Sequence, residues 1–327
     1  MKRFFLLTLA SAALLGASAA PVKTYEVKSP DGRLALVLTA GERLSFTVAR
    51  DGETLVAPSE MALTLSTGEV LGEAPRVRSA RRRAVTETID TPLYRQSRFD
   101  AAYNELDLRL RGDYGVLARA YDDGVCYRFY TERDGELTIV DETAQLNFEG
   151  DPSAYMPYSK TESPMRTSCE NTYEYAPLSK FRTQTVAFMP VLVDLGERGY
   201  VLYTESDVEA YPGVYLTYDK EAKGFAARFA EYPTETSLTK RFQDVVERSA
   251  DYIARVDGRR SYPWRIVAYA ATATELPVND MVWQTAEASR VADASWVRDG
   301  KIAWDWWNNW GVYGVDFKSG IKTETYK

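Results

Sequence analysis

The chain has 327 residues, 45% of them hydrophobic and 27% charged, which is ample for a large core and unlike a disordered polymer. Its net charge of −7 argues against a nucleic-acid partner, which needs a basic face. It contains no histidine, which removes Ser-His-Asp and Cys-His nucleophile systems, His-ligated zinc and imidazole proton shuttles.

Any chemistry must therefore use carboxylates, Tyr, Lys, Arg or an oxygen-ligated metal. No G-x-G-x-x-G or G-x-x-x-x-G-K-[ST] pattern occurs, so neither a dinucleotide site nor a P-loop is expected. Cys126 and Cys169 are too few for a disulfide framework or a structural zinc site, although in an oxidising compartment they could pair.

At the start, Lys2 and Arg3 precede a mostly apolar run from Phe4 to Gly16, and Ala17-Ser18-Ala19 fits the small-x-small cleavage rule. The run is too short for a spanning helix. A signal peptide over residues 1–19 is expected, which makes the mature chain periplasmic or secreted.

From Val22 to about Ala273 the pattern is β. Ser29-Pro30-Asp31-Gly32 signals a turn before the strand Arg33–Leu38, and Leu44, Phe46 and Val48 alternate with polar residues. Leu106, Leu108 and Leu110 alternate with Asp107, Arg109 and Arg111, as in a half-buried antiparallel strand. Asp122-Asp123-Gly124 between Leu117–Tyr121 and Val125–Tyr130 predicts a hairpin. A second is expected around Gly196–Gly199, between strands Val186–Val193 and Tyr200–Thr204, and Ile266–Ala271 ends the series. Many short strands with regular turns predict a large β-sandwich over residues 20–274.

Residues 150–185 interrupt this pattern with Pro152, Pro157, Pro164 and Pro177, and read as a long loop. Tyr155, Tyr158, Tyr173 and Tyr175 favour an ordered, functional one. Glu162, Glu170 and Glu174 are either acids or metal ligands there, or solvated charges.

Residues 275–300 read as a linker with short helical pieces. Lys301–Tyr313 then packs Trp304, Trp306, Trp307 and Trp310 around Asp305, Asn308 and Asn309, aromatic faces beside polar groups that suit a sugar. A strand to about Trp307, a loop and a helix N-cap at Thr323 open a β/α unit, so residues 301–327 are expected to start a truncated (β/α)8 barrel. Strand alternation sets Asp305 and Trp307 on one face with Asn308 just beyond, and these three are the candidate substrate-binding residues.

Several segments resemble glycoside hydrolase family 97, in the family's order: SPDGRLAL near the start, YNELDLRL at Tyr103–Leu110, AYDDGVCYRF at Ala120–Phe129, YEYAPLS at Tyr173–Ser179, and, most specifically, ASWVRDGKIAWDWWNNWGVYGVDFKSGIKTETYK at Ala294–Lys327. The resemblance implies a mainly β fold: an antiparallel β-supersandwich followed here by the first strand of the barrel. It implies an exported enzyme acting on terminal α-linked galactose by a retaining, two-carboxylate mechanism, with both catalytic carboxylates beyond Lys327 and the chain as given inactive alone. The alternatives are an α-glucosidase of the same family and a non-catalytic carbohydrate-binding sandwich. The resemblance also implies calcium near the active site, with one sandwich glutamate as ligand, either Glu170 or Glu174. The partner implied is an oligosaccharide or glycoside, with no nucleic acid and no membrane span.

Overall fold

A computed structural model describes residues 22–91, 94–159, 169–182, 184–238, 244–298 and 300–301. The strands begin with β1 (Lys23–Lys28), β2 (Leu34–Ala40), β3 (Leu44–Arg50), β4 (Glu53–Leu65), β5 (Val70–Leu71), β6 (Val77–Asp90), β7 (Arg98–Leu110), β8 (Tyr114–Tyr121), β9 (Gly124–Ala144) and β10 (Leu146–Asn147). They continue with β11 (Ser153–Met156), β12 (Glu174–Pro177), β13 (Val191–Asp194), β14 (Tyr200–Ser206), β15 (Val214–Asp219), β16 (Gly224–Phe229), β17 (Pro233–Leu238), β18 (Asp244–Ser249), β19 (Ala254–Ser261) and β20 (Trp264–Ala270).

Two antiparallel layers result. One runs β6-β7-β8-β9-β20-β14-β13-β11-β12. The other runs β1-β2-β3-β4-β10-β16-β15. The 21-residue β9 ties them together: its first half pairs with β8 and β20, and its second half pairs with β19 and β4. β20, the last strand in sequence, thus lies inside the large sheet, between β9 and β14.

The alternation read from sequence is what fills the space between the layers. In β2, Leu34, Leu36 and Leu38 point inward and are fully buried, worth about 1.5–3 kcal/mol each. Phe46 of β3 meets Tyr127 of β9 at 4.8 Å between ring centroids. The Asp122-Asp123-Gly124 turn closes the β8–β9 hairpin as expected, with Tyr121 opposite Gly124. Gly115 is needed for packing: a Cβ there would overlap the ring of Tyr130, directly opposite on β9.

Three segments differ from the sequence reading. The strand expected from Val186 starts at Val191, because Pro190 offers no N–H to a ladder. Part of the long loop forms β11 and β12. A five-residue helix, α1 (Met281–Thr285), follows a 3-10 turn at Leu276–Val278 and packs on the outer face of the large sheet. There Met281 is buried with Tyr103, Tyr121, Cys126, Trp264 and Ile266. The Thr285 and Ser206 hydroxyls are 2.8 Å apart, and Arg95 grips Asp280 with contacts of 2.7 and 2.8 Å. Residues up to Ala286 therefore belong to the compact unit of the sandwich, and Glu287 onward form a second unit. The described residues of that second unit carry no helix or strand.

Candidate functional site

The loop that sequence analysis singled out closes the β11–β12 end of the large sheet. β11 pairs with β12 so that Tyr155 lies directly opposite Tyr175, with ring centroids 4.6 Å apart. The Tyr175 hydroxyl donates to Asp194 Oδ2 at 2.9 Å, a bond that raises the pKa of the phenol. The Tyr173 hydroxyl donates to the Pro190 carbonyl at 3.3 Å. All three rings stay exposed, from 38% for Tyr155 to 52% for Tyr175. Pinned hydroxyls and open ring faces suit contact with a ligand that is apolar on one side and polar on the other.

The loop is tied down from below. Leu178, the first residue of the 3-10 turn Leu178–Lys180, and Phe181, which follows the turn, are buried. The Phe181 ring meets Tyr158 edge-on at 5.0 Å. Tyr158 is buried in turn, and its hydroxyl accepts from the Arg182 amide at 3.2 Å. Asp151 accepts from the amide and hydroxyl of Ser179 at 2.9 and 2.6 Å, which holds its carboxyl below the usual range.

The two candidate metal ligands have different surroundings. Glu174, at the head of β12, is ion-paired with Arg182. Glu170 is exposed and carries no ion pair among the described residues. The described residues contain no group of three acidic or cysteine side chains able to hold a cation, and calcium takes about six to eight oxygens. Glu162, Asp305, Trp307 and Asn308 lie outside the described residues. Cys126 and Cys169 are free thiols, the first buried in the outer core and the second exposed.

Sequence reasoning missed the buried and half-buried arginines on both faces of the large sheet. Arg265 of β20 is buried between Glu142 and Glu205, and on the outer face of the sheet Arg119 and Arg128 lie 4.7 and 4.4 Å from the ring centroid of buried Trp264. The sequence signal for Arg265 is a charge inside the apolar strand WRIVAYA.

Together these elements define a large antiparallel β-sandwich domain with a tyrosine-lined edge, formed by β11 and β12, at one end of its main sheet. The chain belongs to the glycosyl-hydrolase 97 N-terminal family, whose model matches residues 27–287. It is 38% identical over 313 residues to a retaining alpha-galactosidase of Bacteroides thetaiotaomicron, covering 93% of this chain and 47% of that protein. It is 30% identical over 286 residues to a probable retaining alpha-galactosidase of Streptomyces bingchenggensis, covering 85% and 39%. A glycoside hydrolase family 97 enzyme of Pseudoalteromonas sp. strain K8, solved with acarbose, shares the fold with a TM-score of 0.71 at 15% identity, over 84% of this chain and 40% of that one. The chain thus spans less than half the length of the curated relatives it matches. Among the described residues no helix is long and apolar enough to cross a membrane.

Proposed function

We propose that this chain is the sandwich portion of an exported glycoside hydrolase that removes terminal α-linked galactose with retention of configuration. The observation that carries the reading is the 38% identity, across almost the whole chain, to a retaining alpha-galactosidase. Retaining glycosidases set two carboxylates about 5–5.5 Å apart, and on this reading both are carried by sequence that this chain does not contain. Within the chain, Asp305, Trp307 and Asn308 are proposed to contact the sugar at the mouth of the barrel.

Calcium would join the site through one sandwich carboxylate. Glu170 is the better candidate, because Glu174 is already neutralised by Arg182. When bound, the metal supplies fixed positive charge that can orient carboxylates and sugar hydroxyls.

The test is the complete protein assayed with aryl α-galactosides and α-glucosides, following the anomer of the released sugar by proton NMR. Release of α-galactose as first product, with α-glucosides turned over poorly, is the expected result. Initial release of the β-anomer would eliminate the retaining mechanism, and preference for the glucoside would place the protein in the other branch.

A further inference from the structure

We infer that the exposed side of β6 is a docking surface for an anionic polysaccharide. Between residues 76 and 83 the chain reads RVRSARRR, with arginines at 76, 78, 81, 82 and 83. Glu87 is the next acid in the strand, and the chain as a whole has more acids than bases, 47 to 40. Among the described strands, β6 has β7 alone as its ladder partner, and all five arginines are exposed.

The acids that could neutralise this run are already engaged. Glu105 lies opposite Arg83 and takes both Arg83 at 2.7 Å and the half-buried Arg119 at 2.8 Å. Asp107, opposite Arg81, takes Arg109 at 3.2 Å and the Tyr130 hydroxyl at 2.6 Å. Arg82, on the opposite face of β6 from Arg81 and Arg83 but equally exposed at the strand's open edge, donates to the carbonyl of Glu26 at 2.9 Å. Arg76, Arg78 and Arg81 have no ion pair among the described residues. Arg111 adds a further guanidinium, since its amide donates to the Arg76 carbonyl at 2.9 Å.

Protection of a sheet edge against pairing with another chain explains one or two charges. It does not explain five of one sign with no acid between them, which repel one another. Nor does it explain arginine throughout, whose fork matches a carboxylate or sulfate in two-point contact. At about 3.4 Å per residue the run extends about 24 Å, several screening lengths at physiological salt. It therefore fits a polymer with repeated anionic groups better than a single ion.

The neighbourhood argues for a glycan among polyanions. No large apolar side chain between residues 23 and 154 is exposed among the described residues. A membrane-surface site needs an apolar face to insert, and single-stranded nucleic acid needs aromatic rings on which bases stack. The choice of polysaccharide over other polymers also rests on the glycoside hydrolase reading.

The experiment titrates the full chain with dextran sulfate, polygalacturonate and neutral dextran at low and at physiological salt. A single-stranded oligonucleotide and phosphatidylglycerol vesicles serve as rivals. The variant is R78S/R81S/R82S, with R81S alone as a milder form, and thermal melts check that each folds. Both anionic polysaccharides should bind and neutral dextran should not. The triple variant should bind about tenfold or more weakly, and added salt should weaken the parent more than the variant. Unchanged binding by the variants, no binding by the parent, or equal binding of neutral dextran overturns the proposal, as does oligonucleotide or vesicle binding as tight as that of the polysaccharides. Absence of polysaccharide binding by the parent, with glycosidase activity intact in the complete protein, counts against this surface alone. Absence of glycosidase activity counts against the enzymatic reading alone.

Discussion

Arg265 and Glu142 form a two-point ion pair inside the sandwich, with Nε to Oε1 at 2.8 Å and Nη2 to Oε2 at 2.7 Å, although the residues lie 123 positions apart. Only 1% and 4% of their side chains are exposed. Glu142→Gln leaves a buried guanidinium with Glu205 as its remaining charged partner. The expected cost is about 3 kcal/mol, the lower end for a broken buried pair. Glu205→Gln should cost less, since Glu205 is more open to solvent. Urea unfolding of the two variants checks both magnitude and order.

The turn beneath α1 should carry a pH signature. Burial, followed by the negative charge of Asp280, pushes the Asp123 carboxyl up to about 6, from the ordinary 3.8. A carboxyl raised on folding favours the folded state while protonated, and that contribution is lost as pH rises through the folded value. Asp123→Asn should therefore raise the melting temperature at pH 7. The gain should fade as pH falls through about 6 towards the ordinary 3.8, well below which the wild-type carboxyl is protonated in both states. Melting curves across that range decide it, and a gain independent of pH would mean that the charge is not the cause.

Docking of α1 depends on one side chain over one glycine. Met281 is fully buried, and a Cβ on Gly124 would collide with its sulfur. Met281→Ala should cost about 2–5 kcal/mol. Amide exchange at Trp283 and Gln284, which donate to the Asp280 carbonyl, should speed up. Exchange in β2 should change less than at α1.

Calcium linkage should separate the two glutamates. In the complete protein, Glu170→Gln should weaken calcium binding measured by calorimetry, while Glu174→Gln leaves it nearly unchanged and loosens the Arg182 end of the loop. The reverse order would give the ligand role to Glu174, and no change in either would leave both as solvated charges.

The tryptophan segment gives a kinetic prediction. On the proposed reading, Asp305→Asn in the complete protein should lower kcat/KM sharply with little change in melting temperature, because charged hydrogen bonds to a ligand are worth about 1.5–3 kcal/mol each. Trp306→Ala, which strand alternation is expected to set on the packing face, should instead destabilise by about 3–5 kcal/mol. Steady-state kinetics paired with melting curves on both variants would expose a wrong assignment of faces as the opposite pattern.

Strands with one buried and one wet face were legible from sequence. Leu34, Leu36 and Leu38 in β2, and Leu106, Leu108 and Leu110 in β7, carry the period-two signal directly. β6 was not legible, because a strand exposed on both sides has no apolar face to alternate: VRSARRRAVTETID gives no such period. The second half of β9 was hidden for the same reason, with polar residues from Glu132 to Glu136 in its middle. The short helical pieces expected after residue 275 are present, but the docking of α1 on the sheet was not legible, because its anchor is the single residue Met281. The pairing of Glu174 with Arg182 depends on β12 turning back through Leu178–Lys180, which no local pattern announces.

The position of β20 has a kinetic consequence. β9 cannot complete its pairing within the large sheet until residues 264–270 have been made and have inserted beside it. Until then the strand interval around Val125–Tyr127 has one open side, flanked by apolar sequence. Contacts between residues so far apart in the chain place folding among the slow, non-local topologies, on the order of milliseconds to seconds or longer. Because that closing strand also brings Arg265 to Glu142, chains truncated before residue 264 should collect as aggregation-prone intermediates with an unpaired strand edge.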